Sequence, residues 1–271
     1  VTKALEHYDV AMRANASART LLIPVLFTAL DDPEIQNRVA RYFHDGNPWV
    51  LDFIAYSTDK DRDPTNIVEP ILKSGDFIKS SDFIHLVHLI LEGLISAGNA
   101  VDAQRLYLSL PGSDPSILRN AVFSEAAMRE EYIPVAWDLS AYSTAGAAFE
   151  RSFEKGVGAI SLRAFVGEGD RGIVARRILF LKPGRYAFST VAEIVAAASQ
   201  QAARWQVVCI AKGRRQVIWQ ADALPAKVPR QFDNLEITPN CQAQSLELEL
   251  QAGDGVSGLE MIVHSLQFKQ L

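Results

Sequence analysis

Pro111-Gly112-Ser113-Asp114-Pro115 divides the chain into two textures. Two prolines and a glycine within five residues end any helix that reaches them and favour a turn. Before this point apolar residues recur at helical spacing. After Ile117 they fall into short runs separated by Gly, Pro and Asn. At 271 residues the chain has room for about two domains. The reading is therefore an α + β multidomain protein. Residues 1–112 form an N-terminal α-helical array, and residues 113–271 form an antiparallel β-sandwich of jelly-roll type.

In the helical half, Ala4, Tyr8 and Ala11 share one helix face, and Thr20–Leu30 is almost wholly apolar. Asp31-Asp32-Pro33-Glu34 has the grammar of a helix start. Asp caps the free N–H groups, Pro fits the first turn and Glu suits the positive end of the dipole. The same grammar returns at Asn47-Pro48-Trp49, Asp63-Pro64 and Ser80-Ser81-Asp82. About seven helices joined by short polar turns are expected, with neighbours antiparallel.

Leu94-Ile95-Ser96-Ala97-Gly98-Asn99-Ala100-Val101-Asp102-Ala103-Gln104-Arg105-Leu106-Tyr107 resembles the inner turn of a tetratricopeptide repeat. Ala103, Tyr107 and Leu110 keep that family's spacing of four then three, as do Ala4, Tyr8 and Ala11. A small residue there admits a neighbouring helix, and an aromatic one turn later fills the space beside it. Residues 17–80 depart from the repeat and read as a degenerate helical array. The resemblance implies a concave face that engages a protein partner.

In the second half, strands are expected at Val135–Leu139, Ala147–Phe153, Ala159–Val166, Ile173–Leu181 and Arg185–Ile194. Further strands are expected at Trp205–Ala211, Gln216–Ala221, Arg230–Ile237, Ala243–Gln251 and Gly258–Phe268. Turn residues intervene at Lys155-Gly156, Gly167–Gly172, Pro183-Gly184, Lys212-Gly213, Pro239-Asn240 and Gly253–Gly255. Leu246, Leu248 and Leu250 alternate with Glu247 and Glu249, the pattern of a half-buried strand. The Ala-rich stretch Val191–Ala203 fits either a strand or a helical turn.

The order of landmarks in this half resembles the jelly-roll carbohydrate-binding modules and their galactose-binding-like relatives. The landmarks are Asn120-Ala121-Val122-Phe123, Pro134-Val135-Ala136-Trp137-Asp138, the Pro183-Gly184-Arg185-Tyr186 hairpin turn, Trp205–Cys209 and Cys241–Leu246. With helical repeats ahead of the sandwich, the chain is similar to an uncharacterised bacterial group associated with exopolysaccharide loci. Many such modules hold a structural calcium through an acid in the last strand. Here Met261–Leu266 has none at its centre, and only Glu260 and Glu125 lie near, so calcium is not expected. The family pairs the strands that carry Cys209 and Cys241, which implies a disulfide between the two cysteines and an oxidising compartment. The alternative is two buried thiols, because Cys241 shares parity with solvent-facing Glu247 and Glu249 unless it precedes the strand or a bulge intervenes.

Sugar-binding modules of this kind stack rings on the C–H faces of sugars. Trp137, Tyr142 and Trp219 are the candidate ligand residues, while Trp205 alternates with Val207 and reads as core. His85, His88 and Glu92 share a helix face that would suit zinc, yet a solvated polar stripe explains them, and no metal is expected. Gly167-Glu168-Gly169-Asp170-Arg171-Gly172 matches a dinucleotide-binding spacing. It is followed by a strand-like run rather than a helix, and it carries two acids that would repel a pyrophosphate, so it reads as a hairpin loop and no cofactor is expected. A net charge of −5 argues against a nucleic-acid surface. No apolar run approaches the ~18 residues of a membrane span. The chain opens at Val1 inside a helical pattern, as expected of a fragment or a mature form. No catalytic motif is present. The expectation is a non-catalytic exported protein of the bacterial periplasm or cell envelope. Its helices would bind a protein and its sandwich would bind polysaccharide weakly. The alternatives are a scaffold without sugar affinity and a glycan-active enzyme.

Overall fold

The computed structural model describes residues 1–44, 46–59, 62–152, 159–196, 201–223, 230–254 and 258–271. It divides into two compact units, Val1–Ser113 and Asp114–Leu271.

The first unit contains α1 (Thr2–Ala14), α2 (Ala16–Ala29), α3 (Pro33–Val39), α4 (Pro48–Ser57), α5 (Thr65–Leu72), α6 (Ser81–Ala97) and α7 (Ala100–Ser109). Three of the four expected starts carry a side-chain cap; at the fourth Pro48 fills the first turn but Asn47 does not cap. Asp32 accepts from the Glu34 N–H at 2.8 Å with Pro33 in the first turn. Asp63 accepts from the Thr65 N–H at 3.0 Å. Ser80 caps α6 through Phe83 N–H, and α6 ends at Gly98 in the left-handed region, φ 88°.

Helices two apart in sequence pack together: α2 on α4 and α4 on α6, α3 on α5 and α5 on α7. Polar side chains bridge the same steps. Asn66 donates to Asp31 at 2.7 Å, Asn99 to Asp63 at 3.1 Å and Arg105 to Glu69 at 2.5 Å, each across 35 or 36 positions. Arg38 to Thr2 and Lys73 to Asn37 repeat that offset. A constant offset is what stacked helical pairs of about that length produce. The stacking runs through residues 17–80, where the repeat motif itself fades. Ala103 and Tyr107 are buried as expected of the motif, whereas Ala4 is exposed.

The second unit contains β1 (Asp138–Leu139), β2 (Ala145–Ser152), β3 (Ala159–Val166), β4 (Arg171–Leu179), β5 (Gly184–Ala196), β6 (Ala202–Ala211), β7 (Arg214–Asp222), β8 (Arg230–Ile237), β9 (Ala243–Gln251) and β10 (Leu259–Gln270). They form two five-stranded antiparallel sheets, ordered β1-β4-β9-β6-β7 and β2-β3-β10-β5-β8. Only β2–β3 and β6–β7 are sequential neighbours within a sheet; every other connection passes from one sheet to the other. Gly167–Asp170 and Lys182-Pro183 are therefore inter-sheet connections, not the hairpin turns expected from their composition. Lys212-Gly213 is a true hairpin turn, with both residues at positive φ. At Gly258 a side-chain carbon would lie 2.3 Å from the Val166 carbonyl, so only glycine permits that approach.

Of the strand expected at Val135–Leu139 only Asp138–Leu139 pairs. Val191–Ala196 continues β5, and Ala202 opens β6. Phe153, Lys155-Gly156, residues 197–200 and Gly255 lie outside the described residues.

The core between the sheets is a chain of rings. Phe149, Phe123, Trp137, Trp205, Phe188, Trp219 and Phe232 contact in that order with centroids 5.3–6.4 Å apart, mostly tilted or edge-on. Such pairs add about 0.5–1.5 kcal/mol each beyond area burial. Arg177, fully buried, lies 5.5 Å over the Trp137 ring and donates to the Ile117 carbonyl.

Candidate functional site

The β1-β4-β9-β6-β7 sheet has an apolar inner face and a polar outer one. Leu246, Leu248 and Leu250 of β9 point inward and are fully buried. Glu247 and Glu249 alternate with them and lie on the outer face. The register aligns that face in rows. Asp138 pairs with Arg176, Arg176 with Glu247, Glu247 with Gln206 and Gln206 with Gln220. One row away Ile173 pairs with Glu249 and Glu249 with Arg204.

Glu247 is 1% exposed although it lies on the outer face. Polar side chains close over it. Gln206 Nε2 donates to it at 2.8 Å, Ser245 Oγ at 2.7 Å, and Arg215 Nη2 reaches from β7 over β6 to the same carboxylate. Gln220 Nε2 donates in turn to Gln206 Oε1 at 3.3 Å. Glu249 accepts from Arg171 Nε at 2.8 Å and lies 3.7 Å from Arg204. That hydrogen bond raises the Arg171 guanidinium further above its usual value. Arg176 Nε donates to Asp138 at 2.7 Å.

At the β1 edge of this face opens a pocket of about 430 Å³, lined by Asp138–Tyr142, Ile173 and Arg176. Tyr142 stands 76% exposed at its rim and Ile173 adds a half-open apolar surface. The pocket thus sets one aromatic ring beside the Asp138–Arg176 ion pair and the Ser140 hydroxyl. This is the amphipathic lining that a polar ring-shaped ligand needs.

Of the three residues expected to hold a ligand, only Tyr142 lies at this pocket. Trp137 and Trp219 are 2% and 6% exposed and belong to the ring chain of the core, which leaves neither face open for stacking. Trp219 also spends its N–H on Asn234 Oδ1 at 2.8 Å. Trp205 is core, as expected. The arginines and glutamines of the outer face were missed. Their signal was the alternation Arg204-x-Gln206 and Gln220-x-Asp222, which matches Glu247-x-Glu249.

Cys209 and Cys241 form a disulfide with Cα atoms 5.6 Å apart. The parity conflict disappears because Cys241 precedes β9. Glu125 and Glu260 are ion-paired with Arg151 and Arg163. His85 and Glu92 are exposed on α6, and His88 is half-buried. No group of three metal-ligating residues occurs among the described residues, and none of their helices is long and apolar enough to cross a membrane.

No protein-family model matches the chain, and no curated protein matches it. Among solved structures, the enzymatically active domain of the bacteriophage CBA120 tailspike protein 4 is similar over 50% of this chain, at 9% identity and a TM-score of 0.35. This chain spans only 19% of that one. The CBM22-1 xylan-binding domain of Paenibacillus barcinonensis Xyn10C is similar over 49% of this chain and 85% of its own, at 15% identity and a TM-score of 0.35. The C-terminal family 22 carbohydrate-binding module of Clostridium thermocellum Xyn10B matches over the same shares, at 15% identity and a TM-score of 0.32.

Proposed function

We propose that the sandwich unit binds polysaccharide weakly and without turnover, at the β1 edge of its polar outer face. The observation that carries this reading is Tyr142, an exposed ring at the rim of a pocket walled by an ion pair and a hydroxyl. A phenol face covers the apolar side of a pyranose, while Arg176, Asp138 and Ser140 supply donors and acceptors for its hydroxyls. One such ring is worth about 1–2 kcal/mol, so single sites reach only millimolar to high-micromolar affinity and polymer avidity supplies the rest.

Binding rather than hydrolysis is favoured because Asp138, Glu247 and Glu249 are each engaged by an arginine. Glycoside hydrolysis needs a carboxyl free to deliver a proton. The helical unit, stacked at a constant offset, is the part proposed to engage a protein partner. The disulfide supports an exported location in the cell envelope.

The test is a titration of bacterial and plant polysaccharides with intact protein and with Tyr142→Ala, followed by affinity electrophoresis and by release of reducing ends. The expected result is retardation by at least one polymer, weakened about tenfold in the variant. Retardation unchanged in Tyr142→Ala would remove the pocket from the reading. Release of reducing ends would replace binding with an enzyme.

A further inference from the structure

The charged groups on the outer face of the β1-β4-β9-β6-β7 sheet are layered. In its four ion pairs among the described residues, the guanidinium is always the more exposed partner. Side-chain exposures are 57% for Arg171 against 16% for Glu249, 51% for Arg176 against 29% for Asp138, and 48% for Arg215 against 1% for Glu247. Arg204, at 42%, also overlies Glu249. The outer face of the other sheet has no such order. There Arg163 is 34% exposed between Glu150 at 43% and Glu260 at 32%.

Layering decides what a ligand meets. The formal charges of these pairs nearly cancel, but a surface group feels nearby charges most strongly, and at Arg171 and Arg176 on β4 those in reach are guanidiniums, while the exposed acid Asp222 lies beside Arg204 on the β7 side of the face. The carboxylates beneath hold them in place. Arg171 and Arg176 each commit only Nε to a carboxylate in the bonds described above. A guanidinium has five N–H donors, and its two terminal nitrogens match the two oxygens of a carboxylate. Both arginines belong to β4, the strand that also supplies Ile173 to the pocket beside Tyr142.

We infer that the polysaccharide bound by this face carries carboxylates, as uronic-acid polymers do, with Arg176 reading the acid group of the sugar stacked on Tyr142 and Arg171, outside the pocket on the same strand, that of a neighbouring residue. This rests on the glycan-binding reading and narrows it to a charge class that the overall net charge of −5 would disfavour.

The experiment compares polygalacturonate, alginate and hyaluronan, each with its carboxyl-reduced neutral counterpart, and includes polyglutamate as an acid without sugar. Intact protein, Arg171→Gln/Arg176→Gln and Tyr142→Ala are titrated against each. The expected result is about tenfold tighter binding of at least one acidic polymer than of its reduced form. The double arginine variant erases that difference, and Tyr142→Ala weakens acidic and reduced polymers alike. Equal binding of acidic and reduced polymers, still weakened by Tyr142→Ala, overturns the charge class and leaves glycan binding standing. Polyglutamate binding as well as the polysaccharides overturns it as well, because the face would then read charge alone. Binding of no polymer overturns both readings.

Discussion

Trp219 Nε1 donates to Asn234 Oδ1 at 2.8 Å and so joins β7, at the edge of one sheet, to β8, at the edge of the other. The indole closes the open side of the sandwich, between Phe188 at 5.3 Å and Phe232 at 6.0 Å. Its role is structural. Trp219→Ala is expected to destabilise the protein by about 3–5 kcal/mol, as large-to-small core changes do. Trp219→Phe retains the ring contacts, loses the hydrogen bond and costs less. Urea unfolding of the three proteins checks the ranking.

The disulfide closes a loop between residues 32 positions apart. On the loop-closure account this removes unfolded-state entropy worth about 3–4 kcal/mol. Cys209→Ala/Cys241→Ala should lower the unfolding midpoint to that extent, and reduction of the intact protein should do the same. Thiol titration of the denatured, unreduced protein should find no free thiol.

Arg215 and Arg171 both pair with a glutamate of β9, but the glutamates differ in burial. Arg215→Ala strips a donor from Glu247, which has almost no access to water, and should cost about 1–3 kcal/mol. Arg171→Ala leaves Glu249 with Arg204 and partial hydration and should cost less than about 0.5 kcal/mol. A reversed order of the two unfolding midpoints would contradict the layered face.

In the helical unit, hydrogen bonding from Arg105 holds the Glu69 carboxyl below its usual value, with Arg105 and Lys73 charges adding to it against desolvation. A depressed carboxyl pKa means the native state favours the ionised form. Its stabilisation is therefore complete above the unfolded value, about 4.3, and disappears as pH falls through the folded value. The pair is largely exposed, so the contribution is a few tenths of a kcal/mol at most, about the size of a surface ion pair. Glu69→Gln should melt slightly below wild type at about pH 6, and the gap should close as pH falls through the folded value. A gap that widens with acid would reverse the sign of this linkage.

Much of the architecture lay in local sequence. The Pro111–Pro115 break marks the change of unit, because two prolines and a glycine cannot continue a helix. The caps at Asp32, Asp63 and Ser80 and the stop at Gly98 act over a single turn, so their residues carry their own meaning. The Leu–Glu alternation of β9 did so as well, since a strand with one buried face needs only its own pleat to declare it.

Tertiary structure decided three things that local pattern could not. Strand alternation has the same period in either sheet, so nothing in Gly167–Gly172 or Pro183-Gly184 shows that the chain changes sheets there rather than turning back. The side to which Trp219 points is the second: it shares sequence parity with Val217, which is 46% exposed, so plain alternation would put both on one face. A register shift opposite Val207 and Val208 puts Val217 outward while Trp219 turns into the core. The arginine layer is the third. Glu247 owes its burial to Arg215, 32 positions earlier, and to Gln206, 41 positions earlier. Pairing over such distances depends on strand register, which only the folded sheet sets.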